Sequence, residues 1–196
     1  MKRFDSRKLL EDLMADTRQL LLVAGKLEHL DSSTLETQPQ PGSWSIAQVL
    51  EHLNFYSAFY LSAIEEKLHH NQTKYNPLFK PGWFGDYFTK MMKPTHDNRI
   101  KSKMKALKSA TPSAQTDGRA ALAQFVTDQH QLLSLLRIAG STDLGRIRIP
   151  TSITRLISLK LGDTFRFFIA HEQRHFVQIQ TALKVVGEQG LATLIS

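Results

Sequence analysis

The residues best suited to chemistry lie near the end of the chain, in the segment AHEQRHFVQIQ from Ala170 to Gln180. His171 and His175 are four residues apart, and Glu172 directly follows the first histidine. On a helix, positions four apart differ by about 40° around the axis, so both imidazoles can reach one metal ion. The pattern HExxH also occurs in zinc proteases. The alternative to a metal site is a pair of partly buried histidines that form hydrogen bonds within the core and have no functional role.

The elements that must position these histidines are predicted to be helices. Four long segments carry apolar residues at helical spacing, and no stretch alternates with period two for long enough to predict a sheet. One long connection, from Asn71 to Thr116, separates the second helix from the third. Together these features predict a single all-α domain over residues 1–196, built as a four-helix bundle. The predicted helices run from about Asp5 to His29, Ser45 to Leu68, Asp117 to Ala139, and Gly162 to Val186.

The start of the second helix carries the clearest signals in the chain. Ser45 can cap the helix, Gln48 can complete a capping box, and Trp44 can pack as a staple onto Val49. For the fourth helix, Asp163 is the expected cap. These signals predict where the second and fourth helices begin.

The long connection is rich in proline and aromatic residues. It carries the segment FKPGWFGDYF, with a short helix predicted from about Phe84 to Met92. Trp83, Phe84 and Tyr87 are expected either to pack the connection onto the bundle or to line a pocket. Specificity for a substrate is one role that such a segment can have.

Helical phase places three histidines partly inward. His171 and His175 lie along one border of the last helix's apolar stripe, and His52 lies on the same kind of border in the second helix. Three neutral imidazoles leave one coordination position for water, which is the pattern of catalytic metal sites. Tyr56, one turn beyond His52, can either reach a metal-bound ligand or be an ordinary core tyrosine, and the second interpretation is preferred. Glu172 falls within the apolar stripe, where a carboxylate needs a partner or a function.

A zinc protease explains less of the chain. The metzincin continuation of HExxH needs a glycine and then a histidine, whereas this chain has Phe176 to Gln180 at these positions. A strand-rich substrate-binding lobe is also missing from the predicted elements. The sequence therefore argues against protease chemistry.

Two segments resemble one family. PGSWSIAQVLEHLNFY and the later HEQRHFVQIQTAL are similar to the DinB/YfiT-like superfamily, whose members commonly show a tryptophan and Ser/Thr before the second helix. They also show HL within that helix and HxxxH on the last one. The resemblance implies an up-down-down-up four-helix bundle, often a homodimer, that binds a divalent ion such as nickel or zinc. By position, the implied ligands are His52, His171 and His175.

The same resemblance implies an activity. Characterised relatives include transferases and isomerases that use a low-molecular-weight thiol, mycothiol or bacillithiol, which the metal is thought to activate. This implies a metal-dependent S-transferase acting on a small-molecule substrate. The residues themselves predict only a metal with an open position. A non-catalytic, stress-associated homodimeric binding protein and a metal-dependent hydrolase remain the alternatives.

Composition narrows the remaining possibilities. The chain has no cysteine, so disulfides, thiolate metal ligands and a cysteine nucleophile are all excluded. The net charge is +7, but the basic stretch from Arg99 to Ser109 has no interleaved aromatic residues and matches no nucleic-acid motif, so nucleic-acid binding is not expected. No apolar stretch reaches the roughly 18 to 20 residues that cross a bilayer, so we expect a cytoplasmic protein without a membrane partner.

Overall fold

Four long helices form the frame of the molecule. The computed structural model describes residues 3–97, 99–100, 104–152 and 156–186. The four frame helices, α1, α3, α5 and α6, are 22 to 25 residues long and lie close to the predicted bounds. None of the helices in these ranges combines the length and apolar composition needed to cross a membrane. The helices are α1 (Ser6–Leu27), α2 (Ser32–Glu36), α3 (Ile46–His69), α4 (Trp83–Met92), α5 (Gly118–Ala139) and α6 (Leu161–Val185).

Helices α3 and α5 run in the same direction. The Asn54 side chain donates to the Ala121 carbonyl, and further along both helices Gln131 donates to Glu65. A connection between parallel neighbours must return along the bundle before the next helix can begin. This requirement explains the long segment between α3 and α5, part of which forms α4.

Helix α6 runs opposite to α5. Phe125 contacts Phe176, whereas the later Gln129 bonds to the earlier Glu172. In an up-down-down-up bundle, the second and third helices are parallel and the fourth is antiparallel to them. Helices α3, α5 and α6 have these relative directions. The prediction of a four-helix bundle is confirmed.

A layer of buried polar side chains divides the apolar core into two clusters. On α6, one cluster ends at Ile169 and the other begins at Phe176, with His171 and Glu172 between them. Buried polar groups cost stability unless they are paired or used. This middle layer is therefore the natural place for a functional site. The other helices contribute Thr17 from α1, Ser57 from α3, and Asp128 and Gln129 from α5.

Two short sheets depart from the prediction that no strands form. Strand β1 (Phe4–Asp5) pairs with β2 (Leu78–Phe79), and β3 (Arg148–Pro150) pairs with β4 (Ser158–Lys160), both antiparallel. Strands of two or three residues are too short for an alternating pattern to be visible in the sequence. The first sheet ties the segment before α1 to the long connection between α3 and α5, and the second lies within the connection between α5 and α6.

The predicted capping box at the start of α3 is confirmed. The main-chain N–H of Gln48 donates to the Ser45 hydroxyl, and the N–H of Ser45 donates to the Gln48 side chain. Residues in the first turns of α3 are therefore held in fixed positions. His52 lies in the second turn of this helix.

The expectation that Asp163 caps α6 is wrong. Helix α6 begins at Leu161 without a side-chain cap. The Asp163 carboxylate instead accepts a 2.7 Å hydrogen bond from the Gly82 N–H and a 3.1 Å bond from Arg166. A Cβ atom on Gly85 would lie 2.3 Å from Asp163 Cγ, so α4 can approach α6 this closely only with glycine at that position. Asp163 joins α4 to α6.

Of the two alternatives predicted for the three aromatic residues of α4, packing onto the bundle is wrong. Trp83, Phe84 and Tyr87 are 65%, 52% and 53% exposed. The α4 aromatic residue that contacts the bundle is Phe88, whose ring lies 6.2 Å from that of Phe167. The exposed residues lie on the outer side of α4, because the Asp163 joint already fixes its inner side.

Candidate metal centre

The three histidines predicted from the sequence lie together in the structure. His52 on α3 meets His171 and His175 on α6, and one nitrogen from each falls within 4.8 Å of the others. The His52 ring centroid lies 5.4 Å from that of His171 and 4.7 Å from that of His175. The antiparallel packing of α3 against α6 thus brings the two sequence motifs to one point.

The distance between the ligand nitrogens of His171 and His175 fits a tetrahedral metal ion. Bonds of about 2.0–2.1 Å place two nitrogen ligands about 3.3 Å apart, and the Nε2 atoms of His171 and His175 are 3.1 Å apart. His52 Nδ1 lies 2.7 Å from the Ala110 carbonyl oxygen, and His175 Nδ1 lies 3.0 Å from Gln178 Oε1. Because these oxygens only accept, each Nδ1 carries the proton and each Nε2 keeps its lone pair.

Burial keeps the imidazoles in the form that binds metal. Burial lowers the pKa of His175 to about 3 and that of His171 well below its usual value. The pKa of His52 is also lowered, again mainly by burial. All three rings are therefore neutral near pH 7, and a metal ion would displace no proton from them.

The cluster supplies three nitrogen ligands, and one of its side chains reaches the surface in part. Within the described ranges it has three members, and His175 is partly exposed whereas His52 and His171 are buried. Three imidazoles with solvent access on one side match the catalytic pattern of three protein ligands and one open position. The other five histidines are exposed. They are His29, His69, His70, His96 and His130.

Aromatic rings surround the histidines. Trp44 lies 4.9 Å from the His52 ring and 6.4 Å from the His175 ring. Tyr56 lies 5.1 Å and 4.9 Å from His52 and His171. Trp44 packs against the apolar cluster that includes Val49, as the staple prediction requires, but it also covers the histidine cluster. This second contact could not be read from the sequence.

Glu172 faces away from the histidines. Adjacent helical positions differ by about 100° around the axis, which directs Glu172 towards α5, where Gln129 Nε2 donates to its Oε1 at 2.6 Å. The side chain is fully buried, and burial raises its pKa to about 8. Its Oε2 has no hydrogen-bond partner among the described residues. Glu172 is therefore a neutral core carboxyl rather than the base of a protease.

Three hydrogen-bond partners of the histidines and of Glu172 were missed by sequence reasoning. Gln178 lies three residues after His175, a spacing that could have suggested their contact. Gln129 interrupts the apolar stripe of α5, which marks it as the candidate partner for Glu172. The Ala110 carbonyl that bonds His52 had no signal, because a main-chain oxygen is present at every residue.

Comparison with known proteins identifies the family. The fold and the three-histidine cluster define a helical bundle with a candidate metal centre. The model of the DinB superfamily matches residues 13–179, and the chain belongs to this superfamily. The predicted family is confirmed, while the homodimer and thiol cofactor that it implied stay predictions.

One solved structure gives a three-dimensional comparison. The chain is similar to YfiT from Bacillus subtilis, described as a probable metal-dependent hydrolase with an unusual four-helix bundle topology. The TM-score is 0.53 at 17% identity, and the match covers 91% of this chain and 86% of that one. At this identity the likeness shows the fold. No curated protein sequence matches the chain.

Proposed function

We propose that the protein is a metal-dependent enzyme whose three-histidine centre activates a small-molecule nucleophile. The carrying observation is that His52, His171 and His175 place neutral imidazole nitrogens within 4.8 Å of one another on a partly exposed side of the bundle. Nickel or zinc suits an all-imidazole ligand set. A bound divalent ion supplies Lewis acidity that lowers the pKa of a coordinated water or thiol.

The surroundings of the centre favour a thiol as the nucleophile. The hydrogen-bond partners of the three histidines are a carbonyl, a glutamine amide and each other, and the neighbouring carboxyl of Glu172 faces α5. Among the described residues no carboxylate bonds to these histidines, so the nucleophile must ionise without such a base at the ligands. A thiol with a pKa of about 8.5 needs a much smaller shift than water at about 15.7. Since the chain has no cysteine, the thiol would be a separate low-molecular-weight molecule.

A metal-dependent hydrolase is the second candidate. The description of YfiT as a probable metal-dependent hydrolase favours it. In that case the nucleophile is water, and the ion alone must supply the larger pKa shift. The two candidates share one metal centre and differ in the molecule that occupies its open position.

An assay of conjugation against hydrolysis separates the candidates. Tag-free protein loaded with nickel or zinc is mixed with monochlorobimane and glutathione, cysteine, mycothiol or bacillithiol, and in parallel with 4-nitrophenyl acetate. We expect metal-dependent conjugation with at least one thiol, its loss in His171→Ala, and its retention in His130→Ala, which removes an exposed histidine. Ester hydrolysis without conjugation would favour the hydrolase. Neither activity, with no retained metal, would favour a non-catalytic bundle.

A further inference from the structure

The seam between α3 and α6 continues past the histidines as an aromatic surface. Tyr56 lies one turn after His52, and Phe167 lies one turn before His171. Because α3 and α6 are antiparallel, these two positions fall on the same side of the centre. The Phe167 ring lies nearly parallel to that of His171, at 17° and 6.3 Å between centroids. Both aromatic side chains are partly exposed.

Rigid neighbours hold this surface in place. The ring of Tyr60, which is 2% exposed, lies 6.1 Å from Phe167. The Tyr60 hydroxyl accepts a hydrogen bond from the Ser152 N–H, in the connection between β3 and β4. On the other side, Phe88 of α4 contacts Phe167. The ring of Phe167 therefore packs between Tyr60 of α3 and Phe88 of α4.

The chemistry of this surface is apolar. Tyr56 and Phe167 are both partly buried and pack against the apolar cluster that includes Tyr60 and Phe168. Partly exposed aromatic faces beside a few convergent polar atoms are the usual composition of a small-molecule site. Covering an exposed aromatic face with a planar apolar group removes apolar surface from water, which stabilises the complex.

We propose that the substrate carries a planar apolar group, such as a phenyl ring, which packs on Tyr56 and Phe167 while its polar end reaches the histidine cluster. This inference rests on the proposed metal centre and names the class of substrate for it. Phe167 then acts as a specificity residue, because it contacts the part of the substrate that does not react.

Two hydroxamates test the inference on cobalt-loaded protein. Acetohydroxamate and benzohydroxamate carry the same chelating head, but one bears a methyl group and the other a phenyl ring. Binding of each is followed through the visible absorption of cobalt(II), and their preference on free cobalt(II) serves as the reference. We expect wild-type protein to favour benzohydroxamate about tenfold over that reference, the size of one good aromatic contact.

Two substitutions show where the preference arises. Phe167→Ala should reduce it to about twofold or less, whereas Phe84→Ala should leave it unchanged, because Phe84 is exposed and its ring contact is with Trp83. Circular dichroism checks that Phe167→Ala is folded, and Tyr56→Leu provides an independent variant of the same surface, expected to weaken the preference.

The outcomes separate failure of the inference from failure of the metal centre. If cobalt binds one ion per chain but wild type and Phe167→Ala show the same preference, the substrate proposal is overturned and the centre stands. If cobalt does not bind, the metal centre is wrong, and the substrate inference falls with it.

Discussion

The two faces of α6 differ sharply, although one five-residue motif supplies both. His171 and His175 face α3 and present neutral imidazoles on a partly exposed side of the bundle. Glu172 faces α5, is fully buried and bonds to Gln129. Residues that are adjacent in the letters HExxH are thus separated by the body of the helix. Helical phase, rather than the motif, decides which residues share a site.

The two faces also respond to pH with opposite signs. Burial lowers the pKa of His175 to about 3 and raises that of Glu172 to about 8. Below pH 6.5 the unfolded histidine binds a proton that the folded one does not, so the histidine face loses stability as pH falls. From pH 4.5 to about 8 the folded Glu172 keeps a proton that the unfolded one releases, so its face loses stability as pH rises.

The largest expected effect is on zinc affinity, which should depend on the histidine face of α6 and not on the Glu172 face. His171→Ala removes a ligand and should weaken zinc binding by more than about 100-fold. Loss of a residue that only hydrogen-bonds to a ligand costs about 10- to 100-fold. Glu172→Gln keeps the shape and neutrality of the side chain and should change affinity by no more than about threefold. Competition with a chromophoric chelator measures both. Equal losses in the two variants would mean that Glu172 belongs to the metal centre.

The second prediction concerns the pH dependence of Glu172. For metal-free protein, the free energy of unfolding of wild type relative to Glu172→Gln should fall as pH rises from 4.5 to about 8, by up to about 1.4 kcal/mol per pH unit. Above that range the difference should be constant. Urea denaturation followed by circular dichroism across the range gives the difference curve, in which the histidine contributions cancel. A flat curve would contradict a raised pKa.

A smaller effect is expected from the partner of Glu172. Gln129→Ala removes the donor to a buried carboxyl and should lower the free energy of unfolding by about 1–3 kcal/mol. Gln131→Ala, on the same helix, removes an exposed bond to Glu65 and should cost less than about 0.5 kcal/mol. Neither variant should alter zinc affinity by more than about threefold. Equal stability of the two variants would show that the buried pair contributes little.

The smallest effect tests the start of α3. Ser45→Ala removes the capping box and should lower the free energy of unfolding by about 1 kcal/mol, whereas Ser45→Asp retains a cap and most of the stability. Zinc affinity should be nearly unchanged, because His52 is also held by the Ala110 carbonyl. Thermal unfolding and chelator competition measure the two quantities. A large loss of zinc affinity in Ser45→Ala would mean that the cap positions His52.

The sequence predicted what depends on local pattern. Apolar spacing located the four long helices, and the capping signals at Ser45 located the start of α3. The inward borders and the family resemblance together selected His52, His171 and His175. The helix and cap inferences use residues within a few turns of one helix, where geometry is regular, whereas joining His52 to the other two histidines relied on the family resemblance.

The remainder depended on contacts between distant segments. Asp163 has the pattern of a helix cap, but its carboxylate bonds to Gly82, about eighty residues earlier. The two short sheets and the Ala110 carbonyl carry no distinctive residue type. For Glu172, the stripe position indicated burial, but its pairing with Gln129 depends on how α5 packs against α6.

X-ray absorption of zinc-loaded, tag-free protein tests the central claim most directly. The account predicts one zinc per chain, with bonds of about 2.0–2.1 Å and outer-shell scattering from three imidazole rings, and a reduction to two rings or loss of zinc in His171→Ala. One or no imidazole in the wild-type spectrum, or a carboxylate ligand that disappears in Glu172→Gln, would contradict it.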